Sequence, residues 1–249
     1  MQSITIAQLS DCHLFEDEQY CGYGNTNPYR SLQQVVSVIK RHVPDMVLVT
    51  GDISGDDSRD SYAHFLHLIE QCVSLKDMYV IAGNHDQNPW FDRMLERHIL
   101  NQDRPLQLPG WVLHGVDSRY RGTLGQVSEN AMQRLISSIK NLPELRHCVA
   151  VHHHPLACQG WIDKHALVNG EEFMSGLATC QQATLVLHGH VHMQRQQAHA
   201  HLEVLGVPST CWQWSNSKGF AVSDEKPGFR LITLFEDGRY KSEVIRLSE

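Results

Sequence analysis

Along the chain, short continuous apolar runs alternate with longer stretches whose apolar residues recur every three or four positions. The short runs read as buried strands and the recurring stretches as amphipathic helices. ITIAQLS (4–10) predicts a first strand, and SLQQVVSVIKRHV a helix with Leu32, Val35, Val36, Ile39 and Val43 on one face. MVLVT (46–50) predicts a second strand, and SYAHFLHLIEQCVSL a second helix with a stripe through Tyr62, Phe65, Leu66, Ile69 and Val73. MYVIAG, WVLHGVDS, CVAVH and TLVLHGH supply further strands, with a helix around Met132, Leu135, Ile136 and Ile139 among them. The tail FRLITLFEDGRYKSEVIRLS reads as a β-hairpin turning at Asp237-Gly238. Strand–helix alternation with a β-rich C-terminal half predicts an α/β layered fold. No solenoid period and no Pro/Ser/Gly-rich linker divides it, so residues 1–249 are read as a single domain.

Five of the strands end in the same way, with an abrupt cluster of Asp, Asn or His: AQLSDCH, LVTGDIS, VIAGNHD, VAVHHHP and LVLHGHVH. Functional groups of open α/β sheets collect beyond the carboxyl ends of the strands, so the economical reading is one site built from all five. Asp11 and His13 are two apart and share a side in extended backbone. His190 and His192 repeat that spacing, with Gly189 allowing the backbone to bend toward a ligand. Asp52 can bridge two ions through its two oxygens, and Asn84 offers an amide oxygen beside His85. Nitrogen and oxygen donors without a thiolate suit Mn²⁺, Fe²⁺ or Zn²⁺. Each cluster alone has a plainer reading: D-x-H as a turn or cap, GD and GNHD as ordinary loops. Their conjunction, each after its own strand, carries the inference.

Bulk properties narrow the function classes. With 28 acidic against 21 Lys and Arg residues the formal net charge is −7, and no basic cluster is present, which argues against nucleic-acid binding. No apolar run approaches the ~20 residues of a membrane span, and the start MQSITIAQLSDCH lacks the form of an export signal. The seven scattered cysteines form no C-x-x-C pair and read as reduced thiols of a cytoplasmic protein, with Cys12 and Cys211 as small packing residues.

The set D-x-H (Asp11, His13), G-D (Gly51, Asp52), G-N-H-D (Gly83 to Asp86), H-H-H-P (His152 to Pro155) and G-H-x-H (Gly189 to His192) resembles the calcineurin-like metallophosphoesterases. The resemblance implies a four-layer α/β/β/α sandwich with a dinuclear metal site at the strand ends. It assigns Asp11, His13, Asp52 and His192 to one ion and Asp52, Asn84, His152 and His190 to the other. His85 would be the catalytic residue that either stabilises the phosphoryl group or protonates the leaving 3′ oxygen, and His13, Asp52, Asn84, His85, His152 and His192 would face the substrate. DCHLF, YGNTNPYRSLQQVV, HHHPLACQGWIDKHAL and VPSTCWQW further resemble the bacterial class III 3′,5′-cyclic AMP phosphodiesterases.

That resemblance implies two divalent ions, Fe²⁺ or Mn²⁺ first and Zn²⁺ next, and a bridging hydroxide that opens cyclic AMP to 5′-AMP. Two ions, two carboxylates and one hydroxide leave a site charge near +1, which suits a phosphodiester without an arginine clamp. A broad-specificity or glycerophosphodiester-type esterase is the competing enzyme reading, and a non-catalytic metal-binding scaffold the competing non-enzyme one. A monomer and a homodimer are both compatible with the sequence.

The remaining residues are open at this stage. By alternation His154 should share the side of His152 and His153 should face away, both serving to orient ligands, and His188 reads as packing or support. Asp86 either orients His85 or caps the helix after it. Trp161, Trp212, Trp214 and Tyr23 either stack on a purine or pack as core, with His165 and Asn169 in the same loops.

Overall fold

The computed structural model describes residues 2–248. Two sheets lie face to face. In the first, β15 (Tyr240–Arg246), β14 (Gly228–Phe235), β1 (Ser3–Leu9), β2 (Met46–Val49) and β3 (Met78–Val80) are neighbours in that order. β1, β2 and β3 run parallel, and the C-terminal hairpin adds β14 antiparallel to β1. The second sheet has the order β10 (Arg195–His199), β11 (Leu202–Gly206), β9 (Ala183–His188), β8 (Arg146–Val151), β5 (Trp111–Val116) and β4 (Leu106–Leu108). Its four inner strands are parallel and its edges, β4 and β10, antiparallel. Two short ribbons, β6 (Arg119–Arg121) with β7 (Leu124–Gly125) and β12 (Gln213–Trp214) with β13 (Val222–Ser223), stand apart.

The period of two along each strand produces the layers. On β2, Val47 and Val49 face helices α1 (Pro28–His42), α2 (Arg59–Ile69) and α3 (Pro89–Leu95), while Met46 and Leu48 turn inward. On β8, Val149 and Val151 meet α4 (Glu129–Lys140) and α5 (Gly170–Ala178), while Cys148 and Ala150 turn inward. Ile6, Leu48, Leu113, Leu185 and Leu187 thus form a middle core between the sheets, and each such fully buried side chain contributes about 1.5–3 kcal/mol. The result is the expected helix–sheet–sheet–helix order. Among the described residues no helix is long and apolar enough to cross a membrane.

Local departures from the sequence reading have local causes. α1 begins at Pro28, ahead of the predicted start, because Asn27 caps it by accepting from the Arg30 backbone N–H at 2.8 Å and Pro28 suits the first turn. It ends at His42, so Val43 leaves the buried stripe: it is a left-handed C-cap and 80% exposed. In α2 Leu66 is only partly buried and Leu68 takes the buried place. The hairpin turns at Asp237-Gly238 as predicted, with Gly238 at φ 85°.

Candidate metal centre and cavity

The carboxyl ends of the parallel strands from both sheets converge. The backbone N–H groups of Asp11, His13 and Leu14 donate to the carbonyls of Gly51, Asp52 and Ile53, zipping the loops after β1 and β2 together. The N–H of Gly189 donates to the His152 carbonyl, joining the loops after β8 and β9. Asp11, His13, Asp52, His152, His190 and His192 are consequently buried within one cluster, with Asn84 half-buried at its edge and His85 exposed on the rim.

Two sets of donor atoms meet in it. His13 Nε2 lies 3.2 Å from His192 Nε2, and His192 Nε2 lies 3.4 Å from Asp11 Oδ1. On the other side His152 Nε2 lies 3.2 Å from His190 Nδ1 and 3.3 Å from Asp52 Oδ2. Asp52 Oδ2 also stands 3.8 Å from His13 Nε2, placing this carboxylate between the two sets. Both outer histidines have their tautomer set from behind: His152 Nδ1–H donates to the Thr50 carbonyl at 2.7 Å, and His192 Nδ1–H to the Trp212 carbonyl at 2.8 Å. The Nε2 atoms then face the cluster, the arrangement that suits a metal ligand. Asn84 Oδ1 and His190 Nε2 are buried without a hydrogen-bond partner. Buried polar atoms are rarely left so; a divalent cation would satisfy Asn84 Oδ1, while His190 offers the set its other nitrogen, Nδ1, and the residues fit the ions that the sequence implies.

The charge states agree. Burial alone would raise Asp11 and Asp52, but His192 beside Asp11 and His152 beside Asp52 outweigh it and hold both carboxyls below their ordinary value. Burial, reinforced by the neighbouring His85, pushes His13 down to about 3, and burial among other imidazoles pushes His190 well down, so both are neutral donors. For His152 burial is outweighed by the Asp52 carboxylate and its hydrogen bond, which lift it to about 9. The proton it holds faces Asp52, on the edge where a cation would compete for it.

The backbone behind this cluster is unusual. Asp11 (φ 55°), His13 (φ 45°), Asp52 (φ 54°), His190 (φ 67°) and His192 (φ 46°) are all left-handed. Alternation in extended backbone therefore paired the right residues for the wrong reason; tight left-handed corners turn their side chains together. Gly51 is required twice over, since it sits at φ 96° and a Cβ there would collide with His152 Nδ1 and the Gly83 backbone. Gly189 does not need a left-handed bend; a Cβ there would strike Ser10 Oγ, so its role is clearance.

Other expectations resolve differently. Asp86 neither caps α3, whose cap is Asn88, nor holds the His85 ring. Its carboxylate accepts from the backbone N–H of Gly83 at 2.9 Å, of Ile53 at 3.1 Å and of Ser54 at 3.4 Å, and from Tyr62 Oη at 2.9 Å. It ties the loop that carries Asn84 to the loop that carries Asp52. β8 ends at Val151, so alternation fails across the histidine triplet. His153 does not face away: its nitrogen lies among those of His152 and His190, while Nδ1 bonds Ser118 Oγ at 2.7 Å. His154 Nε2 turns to Asp163, 3.3 Å away. His188 Nδ1–H donates to the Gly189 carbonyl. Cys12 and Cys211 are buried packing residues whose thiols burial pushes up, Cys12 to about 12.

A cavity of about 520 Å³ opens above the cluster, with His13, Asp52, Asn84, His85, His190 and His192 on its floor. Trp212 stacks on His13 (centroids 5.3 Å apart, planes at 19°), and Trp214 on His192 (4.8 Å, 24°). Both are buried and back the imidazoles. Tyr23, half exposed, and Trp161 meet Trp214 edge-on and line the outer wall with His165. Asn169 is absent from the wall; it clamps the Val127 backbone through both ends of its amide.

Comparison with known proteins agrees with this geometry. Residues 4–194 match the family model described as calcineurin-like phosphoesterase. A 3′,5′-cyclic-nucleotide phosphodiesterase of Nostoc sp. is 30% identical over 98% of this chain and 92% of its own length. The 3′,5′-cyclic adenosine monophosphate phosphodiesterase CpdA of Haemophilus influenzae is 31% identical over 99% of this chain and 91% of its own. Among solved structures, a dimetal phosphatase from Danio rerio superposes with a TM-score of 0.68 at 15% identity, covering 98% of this chain and 99% of that one.

Proposed function

We propose that this chain, which belongs to the calcineurin-like phosphoesterase family, hydrolyses the cyclic phosphodiester of 3′,5′-cyclic AMP to give 5′-AMP. The observation that carries the reading is the paired donor cluster: two sets of buried ligand atoms sharing Asp52 at the floor of a cavity large enough for a small ligand. Full-length similarity to cyclic-nucleotide phosphodiesterases supports the substrate class.

In this reading Asp11, His13, Asp52 and His192 would hold one divalent ion, and Asp52, Asn84, His152 and His190 the other. Fe²⁺ or Mn²⁺ suits that nitrogen and oxygen set, with Zn²⁺ next. When bound, two adjacent ions would supply Lewis acidity and make water a nucleophile near neutral pH. The phosphodiester lies against the face made by His13, Asp52, Asn84, His85 and His192; His152, expected to share that face, is fully buried beneath the cavity floor and serves only as a ligand. His85, exposed on the rim with its ring 4.8 Å from that of His13, gives its proton to the leaving 3′ oxygen, and its position is fixed by its backbone N–H on Asp52 Oδ1 at 2.8 Å. The purine rests on the outer wall beside Tyr23 and Trp161, since Trp212 and Trp214 spend their faces on the ligand imidazoles. We read residues 1–249 as one domain, because the C-terminal hairpin completes the sheet that β1 begins. Seven free thiols suit the reducing cytoplasm.

The test is turnover by the protein stripped of metal and reloaded with Mn²⁺ or Fe²⁺, on cyclic AMP, cyclic GMP, an aryl diester and an aryl monoester. Preference for cyclic AMP supports the reading. Turnover of the aryl esters alone returns the chain to the broad-specificity class, and no turnover with ions bound favours the scaffold.

A further inference from the structure

A second group of donor atoms lies beside the paired cluster and shares no residue with it. His154, Cys158 and Asp163 bring an imidazole nitrogen, a sulfur and a carboxylate oxygen within 4.8 Å of one another. His154 and Cys158 are buried, and both ring nitrogens of His154 lack a hydrogen-bond partner. A buried imidazole with no well-formed hydrogen bond at either nitrogen is uncommon, because each such nitrogen costs the desolvation of a polar group. The nitrogen that faces the group, Nε2, lies 3.3 Å from Asp163 Oδ1. Two ligands each ~2.0–2.1 Å from a tetrahedral ion stand about 3.4 Å apart, so this spacing already fits a common centre.

We propose that His154, Cys158 and Asp163 form a third cation site, with Zn²⁺ the best match to one nitrogen, one sulfur and one oxygen donor. Three protein ligands leave a fourth position for water. Cys158 loses its thiol proton to solvent on binding, and the Asp163 side chain, 29% exposed, provides the way in. Two backbone hydrogen bonds already fix Asp163 in position, its oxygens accepting the N–H groups of Cys158 at 2.7 Å and Gly160 at 3.2 Å. The Cys158 carbonyl is pinned in turn by Asn216 at 3.0 Å. The three residues span the loop between His152, on the paired cluster, and Trp161 and His165, on the cavity wall. An ion here fastens that wall to the strand end that carries His152. The proposal is independent of the reaction assigned to the paired cluster, whose donors include no sulfur.

The experiment uses the full chain loaded with Zn²⁺, and separately with Co²⁺ as a spectroscopic stand-in. X-ray absorption at the Zn edge should show a sulfur scatterer at ~2.3 Å, and the Co²⁺ protein a near-ultraviolet thiolate charge-transfer band. Cys158→Ser should abolish both signals and lower bound metal by one ion per chain, with the circular dichroism of the parent. Asp52→Asn should deplete the paired cluster yet keep the sulfur signals, which separates failure here from failure of the phosphodiesterase reading. Absence of sulfur around zinc in the parent protein overturns the proposal without any variant. So does a thiolate band that survives Cys158→Ser or disappears with Asp52→Asn.

Discussion

Replacing Asp86 by Asn tests whether the two loops that meet at Asp52 and Asn84 are held by one buried carboxylate. The amide keeps the shape but must put an N–H₂ where one oxygen stands. Placing it at Oδ2 is the milder choice, since Oδ1 serves Tyr62, Ile53 and Ser54. Even so, the Gly83 N–H, now 2.9 Å from Oδ2, loses its acceptor and faces another donor. A buried donor left unsatisfied costs about 1–3 kcal/mol, and the other contacts lose the strength a charged acceptor lends them. Asp86→Asn should therefore destabilise by about 2–4 kcal/mol, a fall of roughly 4–16 °C in melting temperature for a chain of this size. The assay is urea and thermal unfolding at pH 7 in the presence of chelator, because bound ions would add stability of their own. Tyr62→Phe removes one donor and should cost about 1 kcal/mol, with a coupling of at least about 0.5 kcal/mol in the double variant. A change under about 0.5 kcal/mol for Asp86→Asn, the scale of an ordinary surface substitution, would refute the network.

Three further outcomes are expected. His85→Ala should retain both ions by elemental analysis yet lose about 10²–10⁴-fold in kcat; loss of metal in that variant would remove His85 from the role given to it. Gly51→Ala should be poorly folded, melting at least several degrees lower, since its left-handed backbone and the crowding by His152 oppose a methyl group together; parent-like melting would show that the loop relaxes. Acid should weaken the fold partly through His114, which burial, with His147 beside it, pushes down to about 3. The unfolded chain then binds the extra proton first, so this stability is complete above pH ~6.5 and drains away toward pH 3, by up to ~1.4 kcal/mol per pH unit. His114→Phe should flatten the pH dependence of the unfolding free energy by that slope between pH 6 and 4, and an unchanged slope would contradict it.

The layers were legible in the sequence because MVLV, CVAV and TLVL are apolar on both faces, as strands buried between helices and a second sheet must be. β10 was not: RQQAH is a half-exposed polar edge with no apolar run to find, and the ribbons β6–β7 and β12–β13 are two or three residues long. The metal-binding candidates stood out because each closes its own strand. What escaped depends on contacts between residues distant in the chain: Asp86 reaching back to Ile53, and His153 turning toward His190 once β8 stops at Val151. The three-residue spacing from Asp86 to Gly83 was visible, but its partner loop is 33 residues away.

The left-handed corners at Asp11, His13, Asp52, His190 and His192 have an evolutionary consequence. Such conformations persist in non-glycine residues only where surrounding structure enforces them, at a cost of order 1–3 kcal/mol each. Glycine, or asparagine in milder measure, would sit there at ease. A lineage screened for heat tolerance alone is therefore expected to shed its ligands at these corners before it touches the core, growing hardier as it falls silent.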